Sequence, residues 1–233
     1  MTSTVIHTTT FPADGATLIL NAARNAISQR GIFRIALSGG RTPAAVYREW
    51  ATNAGDLPWD RVQITFGDER CVPPDDEQSN YLMARKALLD SVPIPPGNIF
   101  RIQGELPPEE AATDYDARLS QVASRFHENR YRHDLLLLGM GPDGHTASLF
   151  PGTEALTEQT RSVVQNFVPK FDTYRITFTY PLINAARHVC FMVEGEEKKP
   201  VVKQILAGEG DYPAAHVSPT DGQLTWLLGW QAE

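Results

Sequence analysis

Four times along this chain a short apolar run stops at or just before glycine: Phe33 to Leu37 before Ser38-Gly39-Gly40, Val62 to Phe66 before Gly67, Asp134 to Leu138 before Gly139, and Val189 to Val193 before Gly195. Runs of this length with glycine punctuation read as strands. Helical signals fill the gaps. Ile19, Ala22, Ala23, Ala26 and Ile27 recur at helical spacing between Ala16 and Gln29, with Gly31 as a stop, so a helix is expected before the first strand. Thr42-Pro43 reads as an N-cap followed by proline at the first helical position. Pro107-Pro108-Glu109-Glu110 opens a helix whose buried stripe is Ala111, Tyr115, Leu119, Val122 and Phe126, and Lys198 to Leu206 supplies another helix after the fourth run. Leu135 to Leu138 is uniformly apolar, as befits a central parallel strand covered on both faces. Alternating strands and helices with right-handed crossovers predict an α/β fold with a doubly wound, mostly parallel sheet and helices on both faces. Ligands of such sheets bind at the carboxyl ends of the strands.

Composition removes several classes of partner. A chain of 233 residues, 42% of them hydrophobic, suits one large domain over residues 1–233 and excludes intrinsic disorder. Twenty-one Lys and Arg stand against 28 Asp and Glu, a net charge of −7, so the positive footprint that neutralises nucleic-acid phosphates is missing. The two cysteines, Cys71 and Cys190, make no disulfide framework and have no paired metal-ligand spacing. The start, MTSTVIHTTTF, has neither a basic n-region nor an apolar h-region, and no later apolar run approaches the ~18 residues that span a bilayer. A cytoplasmic protein with no membrane or nucleic-acid partner is expected.

Three motifs fall at the strand ends. In LSGGRTP, Leu37 to Pro43, two glycines admit a ligand close to backbone amides beside a helix N-terminus, which favours an anion. No GK[ST] follows, so a single phosphate is expected in place of a triphosphate. In FGDERCVP, Phe66 to Pro73, Asp68, Glu69 and Arg70 crowd three charges directly after an apolar strand, either as a functional cluster or as a solvated turn. Cys71 reads as a packed small residue. LLLLGMGPDGHTASLFPG, Leu135 to Gly152, formally spells G-x-G-x-x-G at Gly139, Gly141 and Gly144. A dinucleotide is rejected there, because Asp143 would set a carboxylate where a pyrophosphate must meet the helix N-terminus. The loop instead offers a carboxylate, Asp143, and an imidazole, His145, to one crevice. An imidazole, with an ordinary pKa of about 6.5, is largely neutral near pH 7 and can take a proton from water. A zinc site from His145, Asp68 and Cys71 lacks any recognised ligand spacing. Arg175 and Lys198 add positive charge for a phosphate near Ser38-Gly39-Gly40, while His7, His127, His133, His188 and His216 read as surface or packing residues.

LSGGRTP, FGDERCVP, the helix start at Asn80, GMGPDGHTASLFPG, RITFTYPLINAARHV and EGEEKK together resemble the 6-phosphogluconolactonase branch of the glucosamine-6-phosphate isomerase/deaminase family, over most of the chain. GPDGHTASLFPG is the most specific element. The resemblance implies a Rossmann-like fold, no metal and no organic cofactor. It makes His145 the general base, with Asp143 and Asp68 as active-site carboxylates near it. Gly39, Gly40, Arg175 and Lys198 correspond to the sugar-phosphate cradle, beside Ser38, and Arg70 to a substrate-facing arginine near the lactone end. Arg41 lies where the family accepts several residue types. Deaminases of the family carry a glutamate five residues after the loop histidine, where this chain has Phe150. An apolar ring cannot shuttle protons between carbons, so the expected reaction is hydrolysis of 6-phospho-D-glucono-1,5-lactone to 6-phospho-D-gluconate, in the oxidative pentose phosphate pathway. The alternatives are a glucosamine-6-phosphate deaminase and a non-catalytic phosphosugar sensor. The expected partner is the small-molecule lactone, with the chain as a monomer.

Overall fold

The computed structural model describes residues 3–232; Met1, Thr2 and Glu233, which the single-domain reading of 1–233 includes, lie outside the described residues. In chain order the elements are β1 (Thr4–His7), α1 (Phe11–Arg30), β2 (Phe33–Leu37), α2 (Arg41–Asn53), β3 (Val62–Phe66), β4 (Asp68–Arg70), α3 (Asn80–Ala87), α4 (Pro108–Arg125), β5 (Leu135–Leu138), β6 (Val163–Val168), β7 (Thr173–Phe178), α5 (Tyr180–Ile183), β8 (His188–Val193), α6 (Lys199–Leu206) and β9 (Gln223–Leu228). Six strands form one sheet in the order β1-β9-β8-β5-β2-β3, and every neighbouring pair is parallel. Helices cover both faces. The four glycine-punctuated runs are β2, β3, β5 and β8, and all residues of β2 and β5 are buried. Burial on two faces is why these strands read as continuous apolar runs without alternation.

The first element is a strand, not the helix the sequence pattern predicts. β1 is exposed along its whole length and pairs only with β9, Thr4 opposite Thr225 and His7 opposite Leu228. A four-residue edge strand has no buried face to imprint a periodicity, and its partner lies at the far end of the chain. A second sheet is also absent from the sequence pattern: β4, β7 and β6 run antiparallel, with Arg70 opposite Arg175 and a hairpin pairing Val163 with Phe178 through Val168 with Thr173.

Two helix details differ from expectation. α2 begins at Arg41, with Gly40 at the N-cap at φ 108°, so Thr42 lies inside the first turn and caps nothing. Only glycine holds that φ at no steric cost, which moves the start two residues earlier. In α4, Ala111, Tyr115, Leu119 and Val122 are buried as the stripe requires, but Phe126 follows the last turn and is 46% exposed. The Arg34 guanidinium lies 4.1 Å from its ring centroid. α1 ends as read, with Gly31 left-handed at φ 75° and its N–H donating to Ile27 O at 2.9 Å.

The buried side chains form one contiguous core from Phe11 to Leu228. Phe191 of β8 stacks on Trp226 of β9 with centroids 4.1 Å apart, so the outer part of the sheet is held by aromatic packing as well as by backbone pairing. Among the described residues no helix is long and apolar enough to cross a membrane.

One buried group makes the fold sensitive to acid. His133 is fully enclosed between Tyr131 and Phe178; its Nε2 is 2.8 Å from Thr65 Oγ1, while Nδ1 has no partner among the described residues. Burial first, and then the Arg34 charge, push its pKa down to about 3. The unfolded imidazole takes its proton near pH 6.5, so between there and the folded value the unfolded state binds more protons and stability falls as pH falls. The limiting slope for one such group is about 1.4 kcal/mol per pH unit. Urea unfolding at pH 7 and pH 5 should show a steeper loss of stability for the native sequence than for His133→Gln; equal losses would remove His133 as the cause.

Candidate active site

The carboxyl ends of β2, β3, β5 and β8 enclose a crevice to which Ser38, Gly39, Gly40, Asp68, Arg70, His145 and Lys198 all contribute. The loops that form it are tied to one another. Tyr47 of α2, buried in the core, donates its hydroxyl to Ser38 O at 2.9 Å and accepts from Ser38 N at 2.8 Å, and desolvation pushes its phenol up. Ser38 Oγ in turn accepts from Gly139 N at 3.1 Å, and Thr146 Oγ1 donates to Gly139 O at 2.8 Å. The turn after β2 and the loop after β5 are therefore one hydrogen-bonded unit. A Cβ at position 39 would fall 2.0 Å from Asn80 Oδ1, so glycine is required for Asn80 to sit against the turn.

His145 is fixed on two sides. Its Nδ1 is hydrogen-bonded to Asp143 Oδ1, and Lys170 donates to the other carboxylate oxygen at 3.0 Å. The imidazole face stacks on Phe150, centroids 4.0 Å apart and planes 21° from parallel, with Phe171 edge-on to Phe150. A Cβ at position 141 would meet His145 Cε1 at 2.1 Å, so Gly141 makes room for the ring. Burial raises the Asp143 carboxyl, but the hydrogen bonds from His145 and Lys170 outweigh it and hold the pKa down at about 2. An ionised carboxylate only accepts, so it assigns the neutral ring's proton to Nδ1 and leaves Nε2 with the free lone pair. Gly144 donates to Gly141 O at 3.0 Å in a turn, and no helix follows, which is the geometric reason this G-x-G-x-x-G cannot seat a pyrophosphate.

The DER segment divides its labour. Asp68 does not bond His145; its Oδ2 accepts from Ser148 Oγ at 2.6 Å and its Oδ1 from Asn80 Nδ2 at 3.1 Å. Glu69 is 2% exposed and accepts from the amides of Asn80 and Tyr81 and from Ser79 Oγ at the start of α3. Burial raises its pKa against those hydrogen bonds. It is a helix anchor. Arg70 lines the crevice and donates to Gln78 O. Arg175 sits opposite Arg70 in the β4–β7 register, outside the crevice lining; burial, then the Arg70 charge, push its pKa down. Arg41, exposed at the start of α2, and Asp143 also stand outside that lining, Asp143 behind the imidazole it holds. Among the described residues no three of His, Cys, Asp and Glu gather as a metal ion would need, His145, Asp68 and Cys71 included. Cys71 is half-buried and its thiol is pushed up by burial, as suits a packing residue.

Sequence reasoning passes over Tyr47, Ser148 and Lys170. Ser148 lies inside the GHTAS motif, which is a local signal. Lys170 has none, because the β6–β7 hairpin that carries it belongs to the unanticipated sheet. Replacing it tests its reach: in Lys170→Met the Asp143 carboxyl should titrate above its native value of about 2, read from its carboxyl carbon by NMR. An unmoved titration would detach Lys170 from the site.

Comparison with known proteins bears on this geometry. Residues 8–226 match the family described as glucosamine-6-phosphate isomerases/6-phosphogluconolactonase. The chain is 45% identical to a 6-phosphogluconolactonase of Nostoc sp. over 91% of this chain and 88% of that one. It is 40% identical to one from Rattus norvegicus, over 92% and 86%. The structure is similar to that of a 6-phosphogluconolactonase from Trypanosoma brucei, with TM-score 0.86 and 30% identity over 97% of this chain and 96% of that one.

Proposed function

The chain belongs to the family of glucosamine-6-phosphate isomerases and 6-phosphogluconolactonases, and we propose that it acts as one domain, residues 1–233, with His145 as the general base of lactone hydrolysis. It hydrolyses 6-phospho-D-glucono-1,5-lactone to 6-phospho-D-gluconate, in the pentose phosphate pathway. The observation that carries the mechanism is the imidazole held at Nδ1 by Asp143 in the same crevice as the Gly39-Gly40 turn and Lys198.

The substrate phosphate lies at that turn, against the first-turn amides of α2 and the Lys198 ammonium, with Arg175 adding positive field. Anchoring the phosphate fixes the carbonyl carbon, C1, beside Nε2 of His145 and converts an encounter with water into a positioned one. Nε2 takes a proton from water as its oxygen adds to C1. The resulting imidazolium is stabilised by Asp143, whose carboxylate is ionised throughout the neutral range, and the oxyanion at C1 is met by Arg70 or loop amides. The bond from C1 to the ring oxygen then breaks as the imidazolium protonates that oxygen, and the new acid ionises to the carboxylate. Asp68, held by Ser148 and Asn80, orients the sugar hydroxyls.

Phe150 favours this reading over the deaminase. An apolar ring stacked on the imidazole supplies no second proton carrier, and lactone hydrolysis needs only one base. A non-catalytic sensor is disfavoured because His145 and both carboxylates are present. The chain works as a cytoplasmic monomer with no nucleic-acid partner, in keeping with its free cysteines and its charge of −7.

His145→Ala should lower kcat by about 10²–10⁴-fold with little change in KM, in a short assay corrected for spontaneous hydrolysis. Near-native kcat would remove His145 from the role. Lys198→Ala should instead raise KM for the phosphorylated lactone while leaving turnover of the unphosphorylated lactone unchanged; an equal loss on both substrates would detach Lys198 from the phosphate.

A further inference from the structure

At the amino ends of the strands, about 15 Å along the sheet from the crevice by the length of β2, four arginines converge on one hollow: Arg30, Arg34, Arg132 and Arg187. Its only carboxylates among the described residues, Glu128 and Asp134, are already engaged. Asp134 accepts from Arg30 Nε at 2.8 Å and from the Arg34 amide at 2.8 Å, and lies 3.4 Å from Arg187 Nε. Glu128 pairs with Arg34 Nη1 and lies 3.9 Å from Arg187. Two positive charges remain in excess, in a chain whose net charge is −7. Arg34 is 3% exposed, yet among the described residues its Nε has no hydrogen-bond partner, and the buried Nε of Arg132 has none either. Leaving buried guanidinium N–H groups unpaired is costly, and an anion with several acceptor oxygens relieves that cost and the mutual repulsion together. The repulsion is visible at Arg187, whose pKa burial and then the Arg132 and Arg30 charges push down.

We propose that this hollow is a second anion site, separate from the crevice, that takes a dianionic phosphoryl group of a small phosphomonoester. The excess charge matches a dianion, and the planar guanidinium fork matches phosphate oxygens. Phe126, 46% exposed at the rim and stacked on Arg34, presents an apolar face to the organic part of the ligand.

Isothermal titration of the full chain with inorganic phosphate at pH 7.5 and low salt tests the site. Two binding events are expected. The double variant Arg132→Gln/Arg187→Gln should weaken one at least tenfold while kcat/KM for the lactone stays within about twofold of native; Lys198→Ala should weaken the other. A single event that disappears in Lys198→Ala, or phosphate binding unchanged in the double variant, overturns the proposal. Should the double variant not fold, the arginine Nε–H resonances of the native chain serve instead: phosphate must shift those of Arg34 and Arg132 in Lys198→Ala as in the native chain, and unmoved resonances refute the site.

Discussion

A wholly parallel sheet sends every strand out on the same side, so each strand must return by a crossover and the loops after the strands gather along one edge. The rest of the molecule follows from that constraint. β2, β5 and β8 are buried on both faces, and the polar groups of the crevice stand beyond their carboxyl ends. Loops alone would hold such groups loosely. Here the Tyr47 hydroxyl, rooted in α2, grips both backbone groups of Ser38, and Ser38 passes the restraint to Gly139 across the crevice. Core packing is thereby transmitted to the segments that carry the chemistry.

The site combines groups from two sheets that solve different problems. The parallel sheet supplies the turn at Gly39-Gly40 and the His145 loop; the small antiparallel sheet supplies Asp68, Arg70 and, through its hairpin, Lys170. Asp143 lies where the two meet, accepting from an imidazole on one side and an ammonium on the other, which keeps it ionised in spite of partial burial. Glu69, between two crevice residues in sequence, is turned away to anchor α3, so of two neighbouring acids in one motif one faces the crevice and the other holds a helix.

How much was legible in the sequence follows from how local each signal is. The central strands could be read because double burial writes an uninterrupted apolar run, and α1 because its face and its Gly31 stop are both local. The gathering of His145, Asp143 and the glycine turn could be anticipated because each sits directly after such a strand. β1 and the β4-β7-β6 sheet could not, since their identity lies in pairing with distant segments and not in any periodicity of their own. Phe126 was misread for a related reason: it keeps the helical spacing but falls beyond the last turn, where an arginine from β2 covers it. Lys170 is the clearest loss. Nothing in PKF marks a lysine that reaches a carboxylate 27 residues earlier in the chain.

That lysine rides on a hairpin turn which contributes nothing to the six-stranded sheet. The ion pair that neutralises Asp143 is therefore set by a segment outside the parallel sheet. Lengthening or shortening the turn around Pro169 to Phe171 alters how strongly the Asp143 carboxylate is neutralised, and so where that carboxyl takes its proton. Loop length in that hairpin thus adjusts a charge beside the crevice without changing any residue that lines it.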